Sequence, residues 1–187
     1  MKARFNIAFL ALIFLQSLAF GASAQVRIVR MGVANSFKDM GICVQTVEEG
    51  SSGFNNYSLL VNLGKVITGD APSPGAKLHW CHQEIVHNID RGEYRLSLYF
   101  GGGAVAGFVR DYSKLSIPNP GLMAGMTADA GVLLCYRGNV DIAIDWSAEM
   151  ALHLRRDEVY KRQFNLSWYV NGLLHAWIPC LTIYYKF

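Results

Sequence analysis

From Val140 to Leu154 the chain alternates without a break. Val140, Ile142, Ile144, Trp146, Ala148, Met150, Leu152 and Leu154 share one parity, and Asp141, Ala143, Asp145, Ser147, Glu149, Ala151 and His153 share the other. A strand sends successive side chains to opposite faces, whereas a helical period of 3.6 would mix the two sets. The run therefore predicts one β-strand with a wholly apolar face and an acidic one. It also exceeds the usual strand of about five or six residues in a globular domain.

Other segments follow the same rule. Tyr94 to Arg110 places Tyr94, Leu96, Leu98, Phe100, Gly102, Ala104, Ala106 and Phe108 on one face. Its Gly101-Gly102-Gly103 run and Gly107 weaken strand propensity, as happens where a wall bends or where side chains crowd a narrow interior. A phosphate loop is disfavoured, because neither dinucleotide nor nucleotide glycine spacing fits. Met126 to Tyr136 sends Ala128, Ala130, Val132, Leu134 and Tyr136 one way and Thr127, Asp129, Gly131, Leu133 and Cys135 the other. Leu173 to Phe187 ends in a strand that groups Leu181, Ile183, Tyr185 and Phe187 against Cys180, Thr182, Tyr184 and Lys186, with Pro179 near its start or at a bulge. Weaker strands span Val26–Ala34, Gly41–Glu48, Tyr57–Thr68 and Ala76–Asn88. The total is eight.

The first 24 residues form a separate unit. Lys2 and Arg4 precede an apolar core from Ala8 to Phe20, and Ala22-Ser23-Ala24 matches a small-residue cleavage site. That pattern predicts a cleaved export signal over 1–24 and a mature domain over 25–187. The apolar run falls short of the about 20 residues a spanning helix needs. No later run reads as a membrane helix. More than half of the residues are nevertheless apolar. A membrane barrel has that composition, because its outer face must be apolar while its inner face need not be. The expected fold is therefore an all-β, eight-stranded antiparallel up-and-down transmembrane β-barrel. Cys43, Cys81, Cys135 and Cys180 are widely spaced, so disulfides and free apolar thiols both stay open.

Connection lengths suggest an orientation. Ile89 to Glu93 and Arg137-Gly138-Asn139 are short, whereas Asp111 to Met123 and Arg155 to Leu174 are long. Outer-membrane barrels keep short turns in the periplasm and long loops outside. Glu49 to Asn56 is long for a periplasmic turn. Phe164 to Val170, followed by Asn171-Gly172, reads as a hairpin projecting above the membrane within the last loop.

The export signal, the long alternating strands and the ending Leu181-Thr182-Ile183-Tyr184-Tyr185-Lys186-Phe187 resemble small bacterial outer-membrane barrels. In that class a terminal Phe, with apolar or aromatic residues at alternate positions before it, is recognised by the barrel-assembly machinery. The resemblance implies such an assembly signal at Leu181, Ile183, Tyr185 and Phe187. Gly121–Gly125, Asp145-Trp146-Ser147 and His153-Leu154-Arg155 are also similar to segments of uncharacterised barrels from Bacteroidota. The resemblance implies a Gram-negative outer-membrane location and carries no activity.

Asp129, Asp141, Asp145, Glu149 and His153 fall on the expected inner face, with Arg95 and Lys186 as inward cations. These residue types build catalytic or cation sites. An eight-stranded barrel, however, is narrow enough for side chains to fill, and buried charges must then pair. A polar lumen plug is the favoured reading. The expected pairing is Asp141 with Lys186, directly or through Arg95, since both lie near the same end of consecutive strands. His79, Cys81 and His82 are metal-ligand types, but alternation turns His82 away from the other two, and no complementary pair is evident. The H-x-S pattern of lipid A deacylases is absent, since no histidine has Ser two positions on. No cofactor and no nucleic-acid partner are expected. The expected partners are outer-membrane lipid and the assembly machinery, with a surface ligand left open. The expected role is structural or recognition through the outer loops. The alternatives are a barrel enzyme acting on lipid or lipopolysaccharide, marked by a Ser/His/acid cluster at one membrane boundary, and a soluble periplasmic barrel binding a small ligand, marked by a polar exterior.

Overall fold

A computed structural model describes residues 26–48, 52–62, 75–110, 120–156, 164–174 and 176–187. The export signal and positions 63–68 of the expected third strand lie outside them. The described strands are β1 Val26–Asn35, β2 Met40–Glu48, β3 Gly53–Asn62, β4 Gly75–Asp90, β5 Tyr94–Arg110, β6 Pro120–Tyr136, β7 Val140–Arg156, β8 Phe164–Trp168 and β9 Cys180–Lys186. A short helix, α1, covers Val170–Leu174.

Eight of these strands close an antiparallel up-and-down barrel. Each strand from β1 to β7 pairs with the next, β7 pairs with β9, and β9 pairs with β1. Neighbours in sequence become neighbours in space because short turns return each strand beside the one before it. The closing β1–β9 ladder runs from Arg30–Lys186 to Asn35–Leu181, so neither strand keeps an open edge there. The chain termini and the short turns 91–93 and 137–139 share one end of the barrel, called here the terminal end. The turn 36–39 and the far ends of β4 to β7 lie toward the opposite, distal end.

One interior row shows the strand tilt. It passes through Arg30, Gln45, Asn56, Cys81, Gly103, Thr127 and Glu149, each paired with the next across a strand boundary. Yet Arg30 touches Asp141, which lies well before Glu149 in the same strand. A closed wall requires this stagger when its strands are tilted.

The alternation of β7 and β5 survives intact. Val140, Ile142, Ile144, Trp146, Met150, Leu152 and Leu154 are exposed, whereas Asp141, Ala143, Glu149, Ala151 and His153 are buried in the lumen. β5 has the bounds that its pattern predicts. Other elements differ from expectation. β3 begins at Gly53, which confines the link from β2 to 49–52 and removes the overlong turn. β6 begins at Pro120, so Gly121–Gly125 belongs to the wall and not to a loop. Ladders on both sides, such as Val109–Gly121 and Gly121–Arg155, outweigh its weak strand propensity. Phe164 to Trp168 is not half of a separate hairpin, because it pairs with Leu152–Arg156 of β7. Asn171 and Gly172 lie buried in α1 and do not form a hairpin turn. The eighth wall position is thus shared, with β9 against one end of β7 and β8 against the other.

Inside, Phe54, Tyr99, Leu133 and Tyr184 pack toward the terminal half, and Val105, Val109, Met123 and Tyr169 pack toward the distal half. The four cysteines are free thiols, with Cys43, Cys81 and Cys135 buried. Gly131 makes room for a ring: a Cβ there would lie 2.6 Å from Tyr99 Cζ and 2.8 Å from Asp145 Oδ1. Gly131→Val should therefore destabilise the folded barrel by about 1–3 kcal/mol through overpacking. Gly138→Val, in a turn where a Cβ meets open space, should have a much smaller effect. Urea unfolding of the two variants measures the difference.

Candidate functional site: the filled lumen

The lumen carries three polar layers. At the terminal end Asp141 is fully buried between two cations. Arg30 Nε donates to its Oδ2 at 2.7 Å, and Lys186 Nζ lies 3.0 Å from its Oδ1. The Tyr136 amide donates to Oδ1 at 3.1 Å, while Lys186 Nζ donates to the Tyr136 carbonyl at 2.6 Å. Arg30 Nη1 reaches Gln45 Oε1 at 3.2 Å. One carboxylate thus ties together β1, β9, β7 and the end of β6. Arg95 takes no part, because it sits exposed at the rim. Arg30 takes the place expected for it. A bulge between Ile28 and Arg30 reverses the parity counted from the start of β1 and turns Arg30 inward.

The middle layer holds Asp129 and Asp145. Asp129 accepts from Thr127 Oγ1 at 3.0 Å and from Gln83 Nε2 at 3.3 Å. His79 Nε2 lies 2.8 Å from Thr127 Oγ1 and 3.6 Å from Asp129 Oδ1. Asp145 accepts from the Tyr99 hydroxyl and from Thr182 Oγ1. Hydroxyl, imidazole and carboxylate meet at His79, but they do not form a relay. The carboxylate approaches the same ring nitrogen as the hydroxyl, whereas an activated nucleophile needs the acid on the opposite nitrogen. All three side chains are also buried.

The distal layer is centred on Lys77, whose Nζ sits 2.9 Å from Asp39 Oδ2 and 2.5 Å from Glu149 Oε1. Asp39 enters the barrel from the turn 36–39. Ser36 Oγ organises that turn by accepting from the amides of Lys38 and Asp39. His153, also fully buried, points Nε2 at the Val109 carbonyl 3.3 Å away and lies 6.3 Å from the Tyr169 ring. Asp39 Oδ1, Glu149 Oε2 and His153 Nδ1 are buried without a hydrogen-bond partner.

Asp129, Asp141, Asp145, Glu149, His153 and Lys186 are therefore spread along the barrel axis and not gathered into one constellation. Sequence reasoning missed Arg30, Asp39 and Lys77, and weighed His79 only as a metal-ligand type and not as part of the lumen network. The inward parity of Lys77, His79, Cys81 and Gln83 in β4 was the available signal for two of them. His82 faces outward, bonded to Asn55 Oδ1 and Glu84 Oε1. Among the described residues no group of three side chains could hold a metal ion. Leu181, Ile183, Tyr185 and Phe187 are exposed on the outer face, with the Tyr185 and Phe187 rings edge to face at 5.5 Å. No family model, curated protein or solved structure matches the chain.

Asp141→Leu would leave Arg30 and Lys186 without their shared anion. It should cost about 3–5 kcal/mol, the scale of breaking a buried ion pair from one side. Val140→Leu, next in sequence but on the exposed face, should change stability by no more than about 0.5 kcal/mol. Denaturant unfolding equilibria compare the two.

Proposed function

We propose that the chain is a small outer-membrane barrel that spans the bilayer with its eight wall strands and keeps a plugged lumen. Its role would be structural or in surface recognition through the distal loops. The observation that carries this reading is the polarity of the wall, which is apolar outside and ionic inside. Soluble proteins rarely expose contiguous apolar patches beyond a few hundred Å². Here Leu78, Trp80, Leu98, Phe108, Leu122, Met126, Ile142, Ile144, Leu152 and Ile183 all face outward on five different strands. Tyr94 and Tyr136 pair directly at the terminal end, near Tyr185 and Phe187, while Phe108, Phe164 and Trp168 face outward toward the distal end. Aromatic girdles of this kind flank the apolar band of membrane barrels. A soluble ligand-binding barrel would need the opposite arrangement, with a polar exterior around an apolar cavity. Loops on a rigid scaffold are where recognition usually resides.

The full-length protein should sediment with outer-membrane markers and leave that fraction only in detergent. Folded protein in the soluble periplasmic extract would overturn the reading. Deleting Phe187 tests the assembly signal separately. Inserted protein should fall several-fold, while the unfolding midpoint of refolded material barely moves. Equal insertion with and without Phe187 counts against that role.

A further inference from the structure

We propose that the polar cluster on the outer face of β3 and β4, together with the apolar hollow beside it on β5 to β7, seats one phospholipid whose head group carries a primary ammonium. The ammonium would meet Glu84, and one acyl chain would cross Gly102 into the hollow. The proposal rests on the membrane reading above.

The cluster is out of keeping with the wall around it. Outward residues are apolar on nearly every strand, yet His82 and Glu84 face outward from the middle of β4, next to Trp80 on the same face. His82 Nε2 lies 3.2 Å from Glu84 Oε1, and His82 Nδ1 lies 3.1 Å from Asn55 Oδ1. Ser52 Oγ donates to Glu84 Oε2 at 2.8 Å. Charge on a lipid-facing wall is costly at mid-bilayer and tolerated near the head groups. The cluster lies at such a boundary, because Glu84 pairs with Gly53, the first residue of β3, and Ser52 belongs to the link at the terminal end.

Unlike the carboxylates of the lumen, Glu84 is open to the outside. Its side chain is 46 % exposed, and that of His82 is 42 % exposed. Each Glu84 oxygen receives one donor, whereas a carboxylate offers about four acceptor positions. Among the described residues no lysine or arginine lies within ion-pair distance of it. A primary ammonium supplies both the missing charge and the N–H donors. A choline head group has no N–H, and a glycerol head group brings its hydroxyls on a lipid of the wrong net charge.

The register supplies a path for the chain. His82 pairs with Gly102, Gly102 with Ala128 and Ala128 with Ala148, all on the outer face. Gly102 presents no side chain there, and an added Cβ would meet only the Thr127 carbonyl oxygen, at 3.6 Å. Beyond it opens an apolar hollow of about 370 Å³, lined chiefly by Phe100, Ala128, Ala130, Trp146 and Ala148. The neighbouring row, from Glu84 through Phe100 and Ala130 to Trp146, supplies its flanking rings. Strands lie about 4.8 Å apart, so the path from β4 to β7 is roughly 14 Å long. The stagger that sets Arg30 beside Asp141 makes each such row climb toward the distal end from β1 to β7. A chain laid along the row therefore leaves the head-group boundary and rises into the bilayer.

Single-tryptophan proteins in lipid nanodiscs test this. Trp146 alone reports the hollow, and Trp168 alone, on the outer face of β8, reports the wall away from it. Chain-brominated phosphatidylethanolamine, phosphatidylglycerol or phosphatidylcholine is added at a low, equal fraction to an unbrominated phosphatidylcholine bilayer. Brominated phosphatidylethanolamine should quench Trp146 preferentially, reflecting about tenfold local enrichment, the scale of one charge-assisted hydrogen bond. Trp168 should show no preference. Glu84→Gln, at a half-exposed position, should remove most of the preference at Trp146. Gly102→Leu, which fills the path from the outer side, should reduce it as well. Equal quenching of Trp146 by all three lipids, a preference for phosphatidylglycerol, or a preference that survives Glu84→Gln would overturn the site. The same preference at Trp168 would overturn it too. If no brominated lipid quenches either tryptophan, the membrane reading fails instead.

Discussion

The wall closes where β9 lies between β7 and β1, and the Asp141 carboxylate holds that seam. It binds Arg30 from the first strand and Lys186 from the last while belonging itself to the strand before the last. A closed sheet has no free edge to fray, so the closing contact secures every other ladder. The pairing also reflects the stagger of the wall, because only tilted strands bring these three positions to one level. A carboxylate with two cations at the end of a narrow lumen is costly to disrupt, since Arg30 in particular, mostly buried, would lose its anion.

Closure also dictates what the interior contains. Eight strands leave room for side chains and little else. Rings from Phe54, Tyr99 and Tyr184 occupy part of that space, and ion pairs and hydrogen bonds occupy the rest. Glycine is then a packing device: Gly131 yields to the Tyr99 ring, and Gly172 lets α1 approach Glu149. The outer face bears no such polar burden and is apolar on nearly every strand. His82 and Glu84 are the contrast, a hydrogen-bonded polar patch with Asn55 and Ser52 on the outer side of β3 and β4.

The uneven strand lengths connect these two regions. After β8 and before β9 begins at Cys180, the chain leaves the wall, dips into the lumen at Tyr169 and Gly172, and returns outward at Leu173 and Trp177. That excursion brings an outward apolar surface beside the Asp39–Lys77–Glu149 layer. A complete eighth strand would have separated the two by a continuous ladder.

Read alone, the sequence carried the fold class, the up-and-down order, the bounds of β5 and the two faces of β7. Each of these depends only on local alternation and on turns between neighbours. It placed Asp129, Asp141, Asp145, Glu149 and His153 on the inner face for the same reason. It also paired Asp141 with Lys186, which lie 3.0 Å apart in the barrel, but it did not reveal the other charges that meet. Arg30 was hidden by a one-residue bulge that reverses parity, Asp39 by its place in a turn that reads as solvated, and Lys77 by a strand whose outer face turns polar at His82 and Glu84. The five-residue helix α1 carries too short a period to be read. These points were settled in the folded wall. Contacts across a lumen depend on the stagger accumulated around the whole wall, which is a property of all eight strands together.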